Sequence, residues 1–196
     1  MLRTSPYNAP LQFEKVFQTL SSPRFLNKEG LGGNKAIFIQ SYPIAEQAQV
    51  DVQIASLIKR LALNNTPLLS ISLYDACMSI LKKRNIFDKV FAAEKDFSKP
   101  EFKKNVQRSL NVETAILPFI KQLMDENAHQ LIIIYDIDKI FPFLTLVPVL
   151  VNIQSILNNQ PIVFFYPGDY DNFSLNLFGT INEDNEYRAF NLNNYH

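Results

Sequence analysis

The sequence predicts an α/β protein: a three-layer α/β/α sandwich around a mainly parallel sheet. Three observations carry that prediction. Apolar runs of strand length stand at Ala36–Gln40, Leu68–Leu73, Leu131–Tyr135 and Ile162–Tyr166. The last two are continuous, as in strands covered on both faces. Stretches of helical periodicity separate the runs, and strands alternating with helices imply crossover connections and parallel neighbours.

The elements follow in order. Leu11–Leu20 places Phe13, Val16, Phe17 and Leu20 at helical spacing, and the Ser21–Phe25 loop ends that helix because Pro23 cannot continue the ladder. A glycine-bearing loop, Glu29–Lys35, leads to the first strand. Val50, Ile54, Leu57, Ile58 and Leu61 form the clearest apolar stripe in the chain. After the second strand, Asp75 is positioned to cap a helix over Ala76–Lys83. Residues 85–110 read as a basic helical segment, and Pro118–Glu126 as an apolar helix with Pro118 in its first turn. Phe141–Leu157 reads as a helix kinked or split at Pro148. The last strand, Tyr187–Leu192, follows its predecessor too closely for a crossover helix, which predicts an antiparallel edge.

The chain has 196 residues, enough for one domain over 1–196, with residues 1–10 expected to be flexible. Its 47% hydrophobic content includes 16 Phe, ample for a large core. The formal net charge is zero, so the molecule as a whole is no polyanion binder. Charge is nevertheless unevenly placed. Lys82–Arg108 holds nine basic and four acidic residues, whereas Gln160 onward holds one basic and five acidic. The basic stretch interleaves Phe87, Phe91, Phe97 and Phe102, a pattern compatible with nucleic-acid contact and equally with helices that turn Phe inward. A single cysteine, Cys77, excludes an internal disulfide and reads as a core residue. The longest apolar run, Ile140–Val151, is broken by two prolines and falls short of the about 20 residues that span a bilayer. A cytoplasmic protein without membrane contact is expected.

Catalytic chemistry finds little support. Leu131–Asp138 looks like the strand of a P-loop protein that ends in a magnesium-holding acid. A phosphate loop, however, needs glycines directly after the first strand, and Ser41–Gln47 has none. Gly30, Gly32 and Gly33 precede that strand. The expectation is a P-loop-like scaffold that lacks the phosphate loop and holds no cofactor. Asp136 and Asp138 follow one strand and Asp169 and Asp171 another. If the strands are neighbours, these four define the rival reading, a metal-dependent phosphoesterase or nuclease. Asp just past a strand is also an ordinary turn former. His129 and His196 are the only histidines, and no serine carries a nucleophile-elbow pattern.

Tyr166-Pro167-Gly168 reads as a sharp end to its strand, with Asp169, Tyr170 and Asp171 forming an acidic tip and Gly179 closing a bend after Phe178. Arg188 is the only cation after Lys139. It is expected either to pair with a tip acid or to face a partner.

The order YPGDYD (Tyr166–Asp171), LNLFG (Leu175–Gly179) and EYRAFNL (Glu186–Leu192) resembles the C-terminal signature of the BrxB family of BREX phage-exclusion systems. The opening Leu20–Gly33 and the SLYD step (Ser72–Asp75) are similar to the family's as well. Where the family has a Gly-x-Gly turn, an aromatic-Pro step and an Arg-Ser-His-like step, this chain has DIDKIFPFLTLVPVL, which keeps only Phe141-Pro142. The resemblance implies a non-catalytic adaptor working with the phosphatase-like protein PglZ, the ATPase BrxC and the methyltransferase PglX. It also implies a docking surface shaped by Tyr166, Pro167, Gly168, Asp169, Tyr170, Asp171, Phe178, Gly179, Tyr187, Arg188 and Phe190.

Overall fold

The sheet is organised around β4 (Ile162–Tyr170), which pairs in parallel with β1 (Ile37–Tyr42) on one side and β3 (Leu131–Tyr135) on the other. β2 (Leu68–Ser72) flanks β3 and β7 (Phe190–Asn191) flanks β1, giving the order β2-β3-β4-β1-β7. The structure is a computed structural model that describes residues 7–32, 36–92, 96–158, 160–183 and 188–195.

Side-chain alternation along the strands divides the core into two halves. Phe38, Ile133, Val163 and Phe165 face a layer made by α1 (Ala9–Leu20), α2 (Pro23–Leu26) and α3 (Gln47–Leu63). Ile37, Ile39, Ile132, Ile134 and Phe164 face the opposite layer, built from α4 (Leu73–Lys83), α6 (Lys99–Ser109), α7 (Leu117–Glu126) and α8 (Leu146–Ile153), with α5 (Phe87–Ala92) at its margin. Helices therefore cover both faces, as the alternation of elements predicts. Phe13 stacks on Phe165 with ring centroids 5.4 Å apart, fixing α1 to the middle of the sheet.

Local signals account for the helix starts. The Asn8 side chain accepts from Leu11 N at 3.0 Å, and Pro10 sits in the first turn of α1. Ser22 accepts from Phe25 N, and Pro23 opens α2, so the segment expected as a loop forms one further helical turn. α4 starts at Leu73 rather than Ala76, because Ser72 and not Asp75 is its cap: Ser72 Oγ accepts from Asp75 N at 3.1 Å. Asp75 falls in the first turn, where its charge suits the helix dipole. The helix expected over 141–157 is confined to Leu146–Ile153. Phe141-Pro142 is cis, and Pro148 is the third helical residue, where its missing N–H costs nothing and one unbroken helix runs through it.

Two further corrections concern the C-terminal part. β4 does not stop at Tyr166 but runs through Pro167 and Gly168 to Tyr170. Its first half pairs with β1 as far as Tyr42↔Pro167, and its end pairs antiparallel with β5 (Leu175–Leu177) from Gly168↔Leu177 to Tyr170↔Leu175. β6 (Ile181–Glu183) then extends this hairpin. The hairpin takes up the chain between β4 and β7, and β7 is a two-residue strand parallel, not antiparallel, to β1.

Gly168 makes the continuous strand possible. Its φ is +152°, and a Cβ there would lie 2.1 Å from the Asn176 carbonyl oxygen. Gly168→Ala is expected to destabilise the protein by on the order of 2 kcal/mol or more, since backbone and not a pliable side chain must yield. Gly32→Ala, at φ +57° with open space around it, should cost only about 1 kcal/mol from the left-handed backbone. Urea denaturation of the two variants checks the ordering; equal costs would mean that the β4–β5 approach is not tight in solution.

Candidate functional site

The carboxyl edge of the sheet is where a ligand of such a fold is normally held, and polar groups gather there. β1 ends at Tyr42, and Pro43 with a 3₁₀ turn (Ile44–Glu46) leads directly into α3. This link has no glycine, and Glu46 stands at the N-terminus of α3, so the position open to an anion in a phosphate-binding fold already carries negative charge. From Tyr42 a chain of contacts crosses the edge. Tyr42 OH donates to Gln47 Oε1 at 3.0 Å, and Gln47 Nε2 donates to Asp51 Oδ1 at 2.6 Å. Lys139 Nζ then bridges Asp51 at 3.3 Å and Asp136 at 2.6 Å.

Asp136 takes a left-handed φ of 60° as β3 ends, which turns the chain into the 3₁₀ turn over Asp138–Ile140. Burial pushes the Tyr42 phenol well above its ordinary range, with the Asp138 charge adding to it. Burial likewise raises the Asp138 carboxyl, whose Oδ1 has no hydrogen-bond partner among the described residues. Lys139 is pulled down by burial, but its hydrogen bond and charge interaction with Asp136, then those with Asp51, outweigh this and raise it. The edge satisfies most of its polar groups internally.

The four aspartates of the metal reading do not converge. β3 and β4 are neighbours, as that reading requires, but β4 continues beyond the edge. The β3–β4 pairing ends at Ile134↔Phe164, two residues before Asp136 and five before Asp169, so counting along the chain from that pair sets Asp169 about 10 Å further out. Among the described residues no group of three His, Cys, Asp or Glu side chains is placed to hold a metal ion. Asp169 lies in β4 beside Gly179, its Oδ2 being 3.5 Å from where a Cβ on that glycine would be. Asp171 Oδ1 accepts from Phe173 N at 2.9 Å and Ser174 N at 2.8 Å, and these backbone bonds hold its carboxyl below the usual range. Cys77 is fully buried and its thiol is pushed up to about 12 by burial, consistent with a core residue.

The hairpin beyond β4 collects most residues of the expected docking surface, in two groups. Tyr166, Pro167, Gly168 and Tyr170 are buried and set its shape, whereas Asp169, Asp171, Gly179 and Arg188 are exposed. Phe178 and Phe190 are half-buried, and Tyr187 lies outside the described residues. Phe178 and Gly179 take φ of 57° and 70°, forming the β5–β6 turn, and the Phe178 ring meets Phe141 edge-on at 5.6 Å. Tyr170 OH donates to Ala189 O at 2.7 Å, and Asn191 Nδ2 donates to Tyr170 O at 3.0 Å. Asn191 N donates to Asn172 Oδ1, so the C-terminal strand is tied to the hairpin. Arg188 makes no ion pair among the described residues. Sequence reasoning missed Phe173, which is 85% exposed at the tip. Its only signal is an aromatic inside the polar turn sequence Asp171–Ser174.

The basic segment is partly structural. Arg84 donates to the Ser109 and Thr114 carbonyls, Lys82 lies over the Phe87 ring and Lys83 over Phe119. Phe87 and Phe102 pack against the core. Among the described residues no helix is long and apolar enough to cross a membrane.

Fold and edge together define a parallel α/β domain whose carboxyl-edge polar groups are largely engaged with one another and whose central strand carries a projecting hairpin. The chain belongs to the BrxB family: the family described as "BREX protein BrxB" matches residues 69–192. It is similar to BREX protein BrxB of Bacillus cereus (strain H3081.97), 25% identical over 186 residues that cover 92% of this chain and 95% of that protein. It is also similar to BREX protein BrxB of Escherichia coli O9:H4 (strain HS), 23% identical over 181 residues covering 92% and 90%. No solved structure matches the chain.

Removing the cation from the carboxyl edge tests its self-sufficiency. Asp136 has a side chain only 12% exposed, so Lys139→Met should cost about 1–2 kcal/mol by leaving that carboxylate without its partner. Asp136→Asn in the same chain should restore part of the loss. Because the folded pKa of Lys139 lies above its unfolded value, the contribution is fully present below the unfolded pKa and fades as pH rises through the folded one. Denaturation at neutral and strongly alkaline pH reads both effects; a difference that persists unchanged at high pH would exclude the ion pair as its source.

Proposed function

We propose that the chain is a non-catalytic adaptor of a BREX system, and that it bridges larger components through the hairpin that extends β4. Membership of the BrxB family supports the system. The observation that supports the docking role is the tip itself: Phe173 is 85% exposed, and Asp171 Oδ1 beside it accepts from two backbone N–H groups. Arg188, exposed and without an ion pair among the described residues, precedes the Ala189–Asn191 stretch that is hydrogen-bonded to Tyr170 and Asn172. An exposed aromatic beside a pre-set charge is a usual make-up of an interface anchor and its rim. The buried Tyr166, Pro167, Gly168 and Tyr170 act indirectly by holding that tip away from the sheet.

The same reading treats the sheet as a P-loop-like scaffold without a phosphate loop. In support, β1 passes to α3 through Pro43 and Glu46, and the Tyr42–Gln47–Asp51–Lys139–Asp136 chain occupies the edge where phosphates and magnesium would otherwise be held. The partners are the phosphatase-like protein PglZ and the ATPase BrxC, with the methyltransferase PglX in the same assembly, and the setting is the cytoplasm.

Co-purification with PglZ and with BrxC tests the docking role. Phe173→Ser and Arg188→Glu should each weaken capture of at least one partner by about tenfold or more, the loss of a central anchor or a paired charge being worth some 1.4–3 kcal/mol. Both variants should keep the wild-type melting temperature, since neither side chain supports the core. Undiminished capture of both partners by both variants would remove the hairpin from the interface.

A further inference from the structure

A cavity of about 540 Å³ opens on the α1 side of the sheet, between α1, the Ser22–Arg24 turn, β1 and the C-terminal segment. It shares no residue with the carboxyl-edge cluster of Asp51, Asp136 and Lys139. Its lining mixes apolar and polar surface, the apolar part being the larger: Val16, Leu192 and Tyr195 stand beside the carboxamides of Gln12, Gln18, Gln40 and Asn193 and the cations Lys15 and Arg24. No Asp or Glu lines it among the described residues. Among the described residues neither Lys15 nor Arg24 makes an ion pair. Arg24 also lines an adjoining cavity with Glu29 and Tyr195, and its Nη2 lies 3.8 Å from where a Cβ on Gly30 would be.

The second observation is Gln40, which comes from the middle of β1 and is 1% exposed. Its Nε2 donates to Ser41 O at 3.1 Å, which sets the orientation of the amide in the free protein, because the reverse would set two carbonyl oxygens against each other. The remaining atom, Oε1, is buried and has no hydrogen-bond partner among the described residues. An acceptor left so is costly, and here it belongs to a residue in the wall of this cavity.

We propose that this cavity binds a small nucleotide, of about nucleoside monophosphate size, in this protein. The two cations and the absence of lining carboxylates select a net anion and disfavour any ligand with an ammonium group, which removes free amino acids and polyamines. A cavity of this volume exceeds the needs of inorganic phosphate and lies in the range of small-molecule sites. The phosphate is held by Lys15 and Arg24. The carboxamides, which each donate and accept, read the base edge by giving up present bonds, since Gln12 Nε2 donates to Asn193 Oδ1 and Gln18 Nε2 to Glu14 Oε1 in the free protein. A base N–H satisfies Gln40 Oε1 when that amide rotates and releases Ser41 O. This binding goes beyond the adaptor reading and does not depend on it.

Calorimetry on the full chain with AMP, GMP, CMP and UMP tests the proposal, with adenosine, inorganic phosphate and an N-acetylated tripeptide as comparison probes. At least one nucleotide should bind saturably, and adenosine, phosphate and the tripeptide each about tenfold more weakly or not at all. Lys15→Glu, at an exposed position of α1, should weaken that binding by about tenfold or more with no change in melting temperature. Gln40→Leu keeps the side-chain volume and removes the unsatisfied acceptor. It should melt at or above the wild-type temperature and also bind more weakly; if it fails to fold, Lys15→Glu decides. No saturable binding by any of the four nucleotides, binding indifferent to Lys15→Glu, or binding of the tripeptide in preference to all nucleotides would each overturn the proposal.

Discussion

One backbone approach sets the shape of the C-terminal third: β4 passes Asn176 at Gly168 with no room for a side chain. That permits a single strand to belong to two ladders. Its first half is the centre of a parallel sheet and its end is the base of an antiparallel hairpin. Pro167 fits because it still aligns with Tyr42 at the end of β1, where a missing N–H is tolerated as it is at a sheet margin. Everything that projects from the sheet, including Phe173, Asp171 and the Phe178-Gly179 turn, depends on this continuity. The return of the chain through Ala189 and Asn191 is anchored to the same stretch by Tyr170.

The layer architecture was legible because its signals are periodic and strong. Leu131–Tyr135 and Ile162–Tyr166 are apolar without interruption, and the α3 stripe at Val50, Ile54, Leu57 and Leu61 is buried as its spacing demands. What failed was local punctuation. Pro-Gly ordinarily reads as a turn, but here the glycine serves a cross-strand contact that involves residues eight positions away and leaves no mark in the local sequence. The three-residue strands β5 and β6 are too short for period-2 alternation to be recognised. Asp75 reads as the cap in the sequence because capping residues in adjacent turns compete. Ser72 prevails because it has the extended backbone a cap needs.

The candidate site divides in the same way. The tip acids and Arg188 could be singled out from charge and order in the chain, whereas Phe173 could not. Its exposure follows from the path of the hairpin and not from its neighbours in sequence. The four aspartates illustrate the opposite error. Their positions after two strands suggested a common site, and the strands are indeed adjacent, but the extra length of β4 separates the pairs. Strand length, the least legible property of a buried apolar run, decided a question of chemistry.

Ion pairing distinguishes the carboxyl edge from the cavity beneath α1, although each holds a buried acceptor without a donor among the described residues, Asp138 Oδ1 and Gln40 Oε1. At the carboxyl edge Lys139 is placed between two carboxylates, and Tyr42 and Gln47 complete a hydrogen-bonded chain. A diffusible anion would meet Glu46 and these acids, and a cation would compete with a lysine already in place. Beneath α1, among the described residues, Lys15 and Arg24 line the cavity without a lining acid, and Gln40 Oε1 is buried without a donor. A buried unpaired acceptor and unopposed cations both raise the energy of the free protein. A ligand of the proposed kind, supplying an anion and a donor, would relieve both while displacing the Gln12–Asn193 and Gln40–Ser41 hydrogen bonds, whereas at the carboxyl edge a ligand would have to displace the ion pairs of Lys139 with Asp51 and Asp136.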